Sequence, residues 1–148
     1  DEEAVIENVR AIREFAGDRA VLRAFHFFEE NKRVDAEVNA LEAKDFDTFL
    51  RKVTESGDSS WKWLQNCYCN ETPDEQSITV ALALTKLYLD KIGHGVCRVH
   101  GGGFAGVIAA FLPKEYTEGF TQYIDKALGE GSAYVMHIRP QGAIKVEL

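Results

Sequence analysis

The chain has 148 residues, 45% of them hydrophobic and 28% charged, a length suited to one domain and a composition that excludes global disorder. Lys and Arg total 17 against 24 Asp and Glu, a net charge of −7, so no nucleic-acid partner held by phosphate attraction is expected. No apolar run approaches the ~18 residues of a membrane span, and the opening Asp1-Glu2-Glu3 is unlike a basic targeting segment, so a cytoplasmic protein with no membrane partner is expected.

Val5, Val9, Ile12 and Ala16 fall at helical spacing, and Gly17 supplies a stop. From Arg19 to about Ala43 there is no Gly or Pro. Val21, Phe25, Phe28, Val34, Val38 and Leu41 predict a long amphipathic helix with one apolar stripe. Asp45 is a plausible N-cap for a third helix carrying Phe46, Phe49, Leu50 and Val53, which should weaken at Gly57-Asp58-Ser59-Ser60, with Trp61 and Trp63 extending it. Thr72-Pro73-Asp74-Glu75 reads as a capping box opening a helix to about Lys91, buried on more than one side through Ile78, Leu82, Leu84, Leu87 and Leu89.

The period then changes. Val96–Val99 and Val107–Leu112 read as strands around a glycine loop; Tyr116, Phe120, Tyr123, Ile124 and Ala127 return to helical spacing. Tyr134–Arg139 and Ala143–Leu148 read as two further strands joined across Pro140-Gln141-Gly142. The expected fold is α+β: a helical N-terminal half, residues 1–71, and a ferredoxin-like α-β-β-α-β-β half, residues 72–148, with a mainly antiparallel four-stranded sheet. Cys67, Cys69 and Cys97 lack the paired spacing of a zinc site and are expected to be reduced thiols, with no metal site. Met136 is the only methionine and residue 1 is Asp, from which a processed or excised chain is expected.

The densest chemical signal is Gly101-Gly102-Gly103-Phe104-Ala105-Gly106. Consecutive glycines strip side chains from the backbone, so its amides can form a nest and approach an anion closely. The six residues match G-x-G-x-x-G in form, but a dinucleotide fingerprint leads into a helix, whereas strand-like residues follow Gly106. A plain glycine hairpin is the alternative reading. Arg98 and His100 flank the loop, each either as a brace or as an anion contact. His26, beside Phe25, Phe27 and Phe28, reads as a buried hydrogen-bonded imidazole. Glu29, Glu30 and Asp35 read as a solvated helix face, and Trp61 and Trp63 as packing residues with sugar stacking as the alternative.

The segment Gly95-Val96-Cys97-Arg98-Val99-His100-Gly101-Gly102-Gly103-Phe104-Ala105-Gly106 resembles the third motif of galactokinases, of the GHMP kinase superfamily, approximately R-[ML]-[TS]-G-G-G-F-G-G. Arg23-Ala24-Phe25-His26 and Glu30-Asn31-Lys32-Arg33-Val34 are similar to that family's R-A-x-H and E-N-x-R-V helix, and Glu55-Ser56-Gly57-Asp58-Ser59 to its E-S-H-x-S segment. The chain departs from the pattern at His100, where Thr or Ser is usual, at Ala105, which replaces Gly, and at Gly57, which replaces His. The resemblance spans roughly residues 19–112.

That resemblance implies one GHMP-kinase C-terminal domain over 1–148, lacking the N-terminal catalytic domain with its serine-rich phosphate loop. The implied enzyme phosphorylates galactose to galactose 1-phosphate with ATP and Mg2+. Gly101, Gly102, Gly103, Phe104, Ala105 and Gly106 would line the interdomain site and support the nucleotide phosphate loop, with Arg98 and His100 as brace or anion contact. The chain would carry no catalytic residue or metal ligand, bind no cofactor alone, and be inactive without its N-terminal domain. Its partners would be that domain, galactose and ATP. Alternatives are another GHMP sugar or mevalonate-type kinase domain, or a stand-alone, non-catalytic metabolite-binding module, and self-association of the isolated domain is a further possibility.

Overall fold

A computed structural model describes residues 1–104, 106–138, 141, 142 and 145. They form an α+β structure with a helical first half and a small antiparallel sheet. The chain divides into two compact units, residues 1–113 and 114–148.

In the first unit the helix expected from Val5 is two helices. Asp1 caps α1 (Glu2–Glu7), its carboxylate accepting from the Ala4 amide at 2.9 Å, and Asn8, at φ −109, separates it from α2 (Val9–Ala16). Gly17, at φ +82, then turns the chain into the 25-residue α3 (Asp18–Glu42). Asp45 caps α4 (Phe46–Ser59) by accepting from the Thr48 amide at 3.0 Å, as its position predicts.

α4 does not weaken at Gly57. It runs on to Ser59 and widens into a π-helical turn, Ser60–Leu64, which stops at Gln65 in the left-handed region. Gly57 is where α4 presses on a strand: a Cβ there would stand 3.0 Å from the Arg98 Cβ. The missing side chain allows close packing, which outweighs glycine's poor helix propensity.

The capping box at Thr72 is not used. Glu75 N donates to Thr72 O at 3.0 Å in a turn, and α5 (Ser77–Ile92) begins after Gln76. The reason is Gln76 itself: its amide accepts from Cys69 N at 3.2 Å and donates to Cys69 O at 2.7 Å, tying the incoming chain to the helix start. α5 buries one stripe, Ile78, Thr85 and Leu89, and leaves Val80 and Leu87 exposed, so burial on several sides is corrected to burial on one.

β1 (Val96–His100) and β2 (Val107–Phe111) pair antiparallel, from Val96 opposite Phe111 to His100 opposite Val107. Val99, 1% exposed, packs with Cys67 and Ile78, and Tyr68, Leu82 and Ile108 lie against them. The α3 stripe is also corrected. Val21 is buried, but Val34, Val38 and Leu41 face outward, and the inward positions are Arg33 and Ala40. A paired polar cluster, described below, occupies that side.

In the second unit a single 3-10 turn, Lys114–Tyr116, leads into α6 (Thr117–Leu128), and Asp125 accepts from the Ala133 amide at 3.0 Å. Among the described residues the sheet has two strands, and a four-stranded sheet is not shown. Among the described residues Tyr134–Ile138 forms no strand. Arg139 and the strand expected at 143–148, apart from Lys145, lie outside the described residues. No helix among the described residues is long and apolar enough to cross a membrane.

Val99→Ala is expected to destabilise the chain by about 2 kcal/mol, read as a fall in the urea midpoint with an unchanged slope.

Candidate functional site

The glycine loop joins β1 to β2. Gly101 and Gly102 are exposed, Gly103 is half-buried, and Phe104 is 52% exposed. Gly101 (φ +69), Gly103 (φ +76) and the non-glycine Phe104 (φ +56) occupy the left-handed region, while Gly102 does not. The sign of φ changes at Gly101, Gly102 and Gly103 and stays positive at Phe104, a backbone course that glycines make possible. Gly106 N donates to Gly103 O at 3.0 Å, closing the turn. Ala105 lies outside the described residues. His100, exposed at the end of β1, pairs with Val107 at the loop's base.

The three glycines differ in what they need. Gly101 needs its φ. Gly103 needs both its φ and its bareness, since a Cβ would lie 2.2 Å from Asn66 O. Gly102 needs neither: its φ is not positive and a Cβ would meet no atom within 4 Å.

The backing of the loop comes from Asn66, which the motif reading passed over. It is 2% exposed, its main-chain oxygen accepts from Phe104 N at 2.7 Å, and its Nδ2 donates to Gly102 O at 3.3 Å. Its sequence signal was slight, a lone Asn between Gln65 and Cys67 at the end of a helical run.

Behind β1 lies an ionic cluster. Glu30 accepts from Arg33 Nη1 on one oxygen and from the Ser56 hydroxyl on the other. Ser56 accepts in turn from Arg98 Nη1, while Arg98 Nη2 stands 3.7 Å from Glu30 and its Nε donates to Val99 O at 2.9 Å. Arg98 is thus engaged as a brace between strand and helices. His26 Nδ1 is hydrogen-bonded with Ser59 Oγ at 2.9 Å, and its Nε2 lies 4.0 Å from Glu30. Glu30 is therefore no part of a solvated acidic face, as first read: its side chain is 19% exposed. Glu29 does stay near solvent, with Lys32 at 2.6 Å. Glu37, near Arg98, Glu30 and Arg33, has its carboxyl pushed up by burial.

Ser59, His26 and Glu30 follow the order hydroxyl, imidazole, carboxylate, but Ser59 is 4% exposed. A nucleophile must reach a substrate carbon, so this set is structural. Burial pushes the Cys67 and Cys97 thiols up, which keeps them protonated and poorly nucleophilic, whereas hydrogen bonds from Thr72 draw the Cys69 thiol down.

A groove of about 330 Å³ runs between α4, α5 and β1, lined among others by Asp58, Trp61, Leu82 and Lys86, and none of the described residues of the glycine loop lines it. Trp61 leans on Tyr68 with ring centroids 5.5 Å apart. Among the described residues no group of three or more His, Cys, Asp or Glu side chains is placed to hold a metal ion. What the loop can do chemically is offer main-chain N–H groups to an anion or a close-approaching backbone. No protein-family model matches the chain, and no curated protein matches it significantly.

Two measurements probe the cluster. Glu30→Ala leaves the 9%-exposed Arg33 without its carboxylate, and a loss of about 3 kcal/mol is expected on denaturant unfolding. His26 has its pKa lowered from 6.5, mainly by burial, with Arg33 and Arg98 adding to the effect and Glu30 opposing it. The unfolded chain then binds a proton that the folded chain resists, so this stability is present above pH 6.5 and declines as pH falls through the folded value. Glu37, raised from 4.5, acts with the opposite sign: its contribution is present below 4.5 and is lost as pH rises through its folded value. Between about pH 7.5 and 5.5 the urea midpoint of the wild type should fall further than that of His26→Gln.

Proposed function

We propose that this chain is the C-terminal domain of a galactokinase-like kinase of the GHMP superfamily. The complete enzyme transfers the γ-phosphoryl group of ATP to the anomeric hydroxyl of galactose, and the loop at residues 101–106 lines its interdomain site. The observation that carries the reading is Gly102. It is exposed, its φ is not positive, and a Cβ there would meet no atom of the described residues within 4 Å, so its bareness answers no internal steric demand. Bare backbone at such a position suits close approach by something outside this chain.

Two further observations support it. His26, Glu30, Arg33, Ser56, Ser59 and Arg98 come from separate segments that resemble galactokinase motifs, and they meet in one network behind the strand that leads to the loop. Gly57, where the family has His, lies against Arg98, so this chain departs from the motif at a point of close helix-to-strand packing.

Phosphoryl transfer rests on positioning and on neutralising phosphoryl charge, to which main-chain donors contribute a part. ATP with Mg2+ would supply the phosphoryl group and its counter-charge. The loop residues of this chain suit the support of phosphate oxygens and of the partner domain's phosphate loop, and the Mg2+ ligands and base belong to the N-terminal domain. The chain alone is then inactive. The four-stranded ferredoxin-like sheet is part of the same proposal, supported by the exposed apolar run Tyr134, Val135, Met136 and Ile138.

In this chain, Gly102→Ala should change stability by less than about 0.5 kcal/mol. In the polypeptide that includes the upstream domain, it should lower kcat/KM for galactose phosphorylation about a hundredfold. Unchanged turnover in that variant, or phosphorylation of neither galactose, another sugar nor mevalonate by the longer polypeptide, overturns the reading. Phosphorylation of a different sugar or of mevalonate would replace the substrate and keep the superfamily.

A further inference from the structure

We infer that Asn66 is a positioning residue: it fixes the stretch from Gly102 to Phe104 and so sets the face that the glycine loop presents. Only the effect on turnover rests on the kinase reading.

The loop's conformation does not hold itself. Phe104, a bulky non-glycine residue, sits at φ +56, a region that persists only where the surroundings over-determine it. Gly106 N to Gly103 O closes the end of the turn, and Asn66 supplies the remaining restraints at three successive residues. Its Nδ2 donates to Gly102 O at 3.3 Å, its backbone leaves no room for a Cβ at Gly103, and its main-chain oxygen accepts from Phe104 N at 2.7 Å. In a trans peptide the C=O and the following N–H point in opposite directions. Drawing Gly102 O toward Asn66 therefore directs the Gly103 N–H away from it, back across the turn at residues 101 and 102 toward the end of β1.

Asn66 is in turn fixed from both sides. Gln65, in the left-handed region at φ 56, donates its amide to Ser60 O at 2.7 Å and accepts from Arg19 Nη2 at 3.1 Å. Cys67, 2% exposed, is a member of the core with Ile78 and Val99. A rigid Asn between the π-helical turn and the core is thus a fixed base on which a loop of mobile residue types is set.

Asn66→Asp keeps the shape but removes the Nδ2 donor and places a carboxylate against Gly102 O. In the full 148-residue chain, native-state hydrogen exchange by NMR should show the Phe104 amide exchanging about tenfold faster, with the Val99 amide unchanged. Gly103→Ala attacks the same contact from the loop side and should speed Phe104 exchange likewise, which keeps the test open if Asn66→Asp folds poorly. Phe104 exchange unaltered in both variants overturns the inference. In the polypeptide with its upstream domain, Asn66→Asp should lower kcat about tenfold with little change in the KM for galactose. Faster Phe104 exchange with unaltered kcat would uphold the loop-setting role and overturn its part in turnover. If Gly102→Ala also leaves turnover intact, the kinase reading falls while the structural role of Asn66 stands.

Discussion

A carboxylate held among packed helices must be matched by donors, and the first unit is arranged around one such match. Glu30, on α3, takes a guanidinium from its own helix and a hydroxyl from α4, and that hydroxyl is also bonded by Arg98 of β1. One acceptor therefore sets the relation of two helices and a strand. Because ionic hydrogen bonds are directional, this arrangement specifies register in a way that apolar contact alone does not. It also explains why α3 turns Arg33 and Ala40 inward while Val34, Val38 and Leu41 remain outside.

The strand so placed has one edge on β2, and its other side is closed by two devices. Arg98 Nε satisfies the Val99 carbonyl at 2.9 Å, and Gly57 lets α4 come so near that a Cβ there would lie 3.5 Å from Cys97 O. Edge strands left open recruit other chains, and this one is covered by a helix and a charged side chain. Strand and loop are thereby held by different means: the ionic cluster fixes β1, and Asn66 fixes the turn that follows it.

Much of the architecture was legible in the residues. The unbroken length of α3, the Asp45 cap of α4, the hairpin flanking the glycines and the helix near Tyr123 all came from local rules that the fold respects. The failures share a cause. Thr72-Pro73-Asp74-Glu75 satisfies a local capping rule, yet Gln76 found better partners in Cys69, three residues upstream of that box. Gly57 looked like a helix breaker because its contact, Arg98, is remote in sequence. Glu30 looked solvated for the same reason: nothing beside it announces Ser56. Asn66 matters only through a loop that lies 36 residues away.

By itself the sequence determined the helical first half, the β-hairpin and the run of side-chain-free residues between its strands, because periodicity, caps and glycine's freedom act within a few residues. Only the tertiary structure decided which glycine is bare for internal reasons and which is bare toward solvent, which charges are buried, and what stands behind the loop. Those properties depend on distances between residues far apart in the chain, and burial and hydrogen-bond partnership have no local signature.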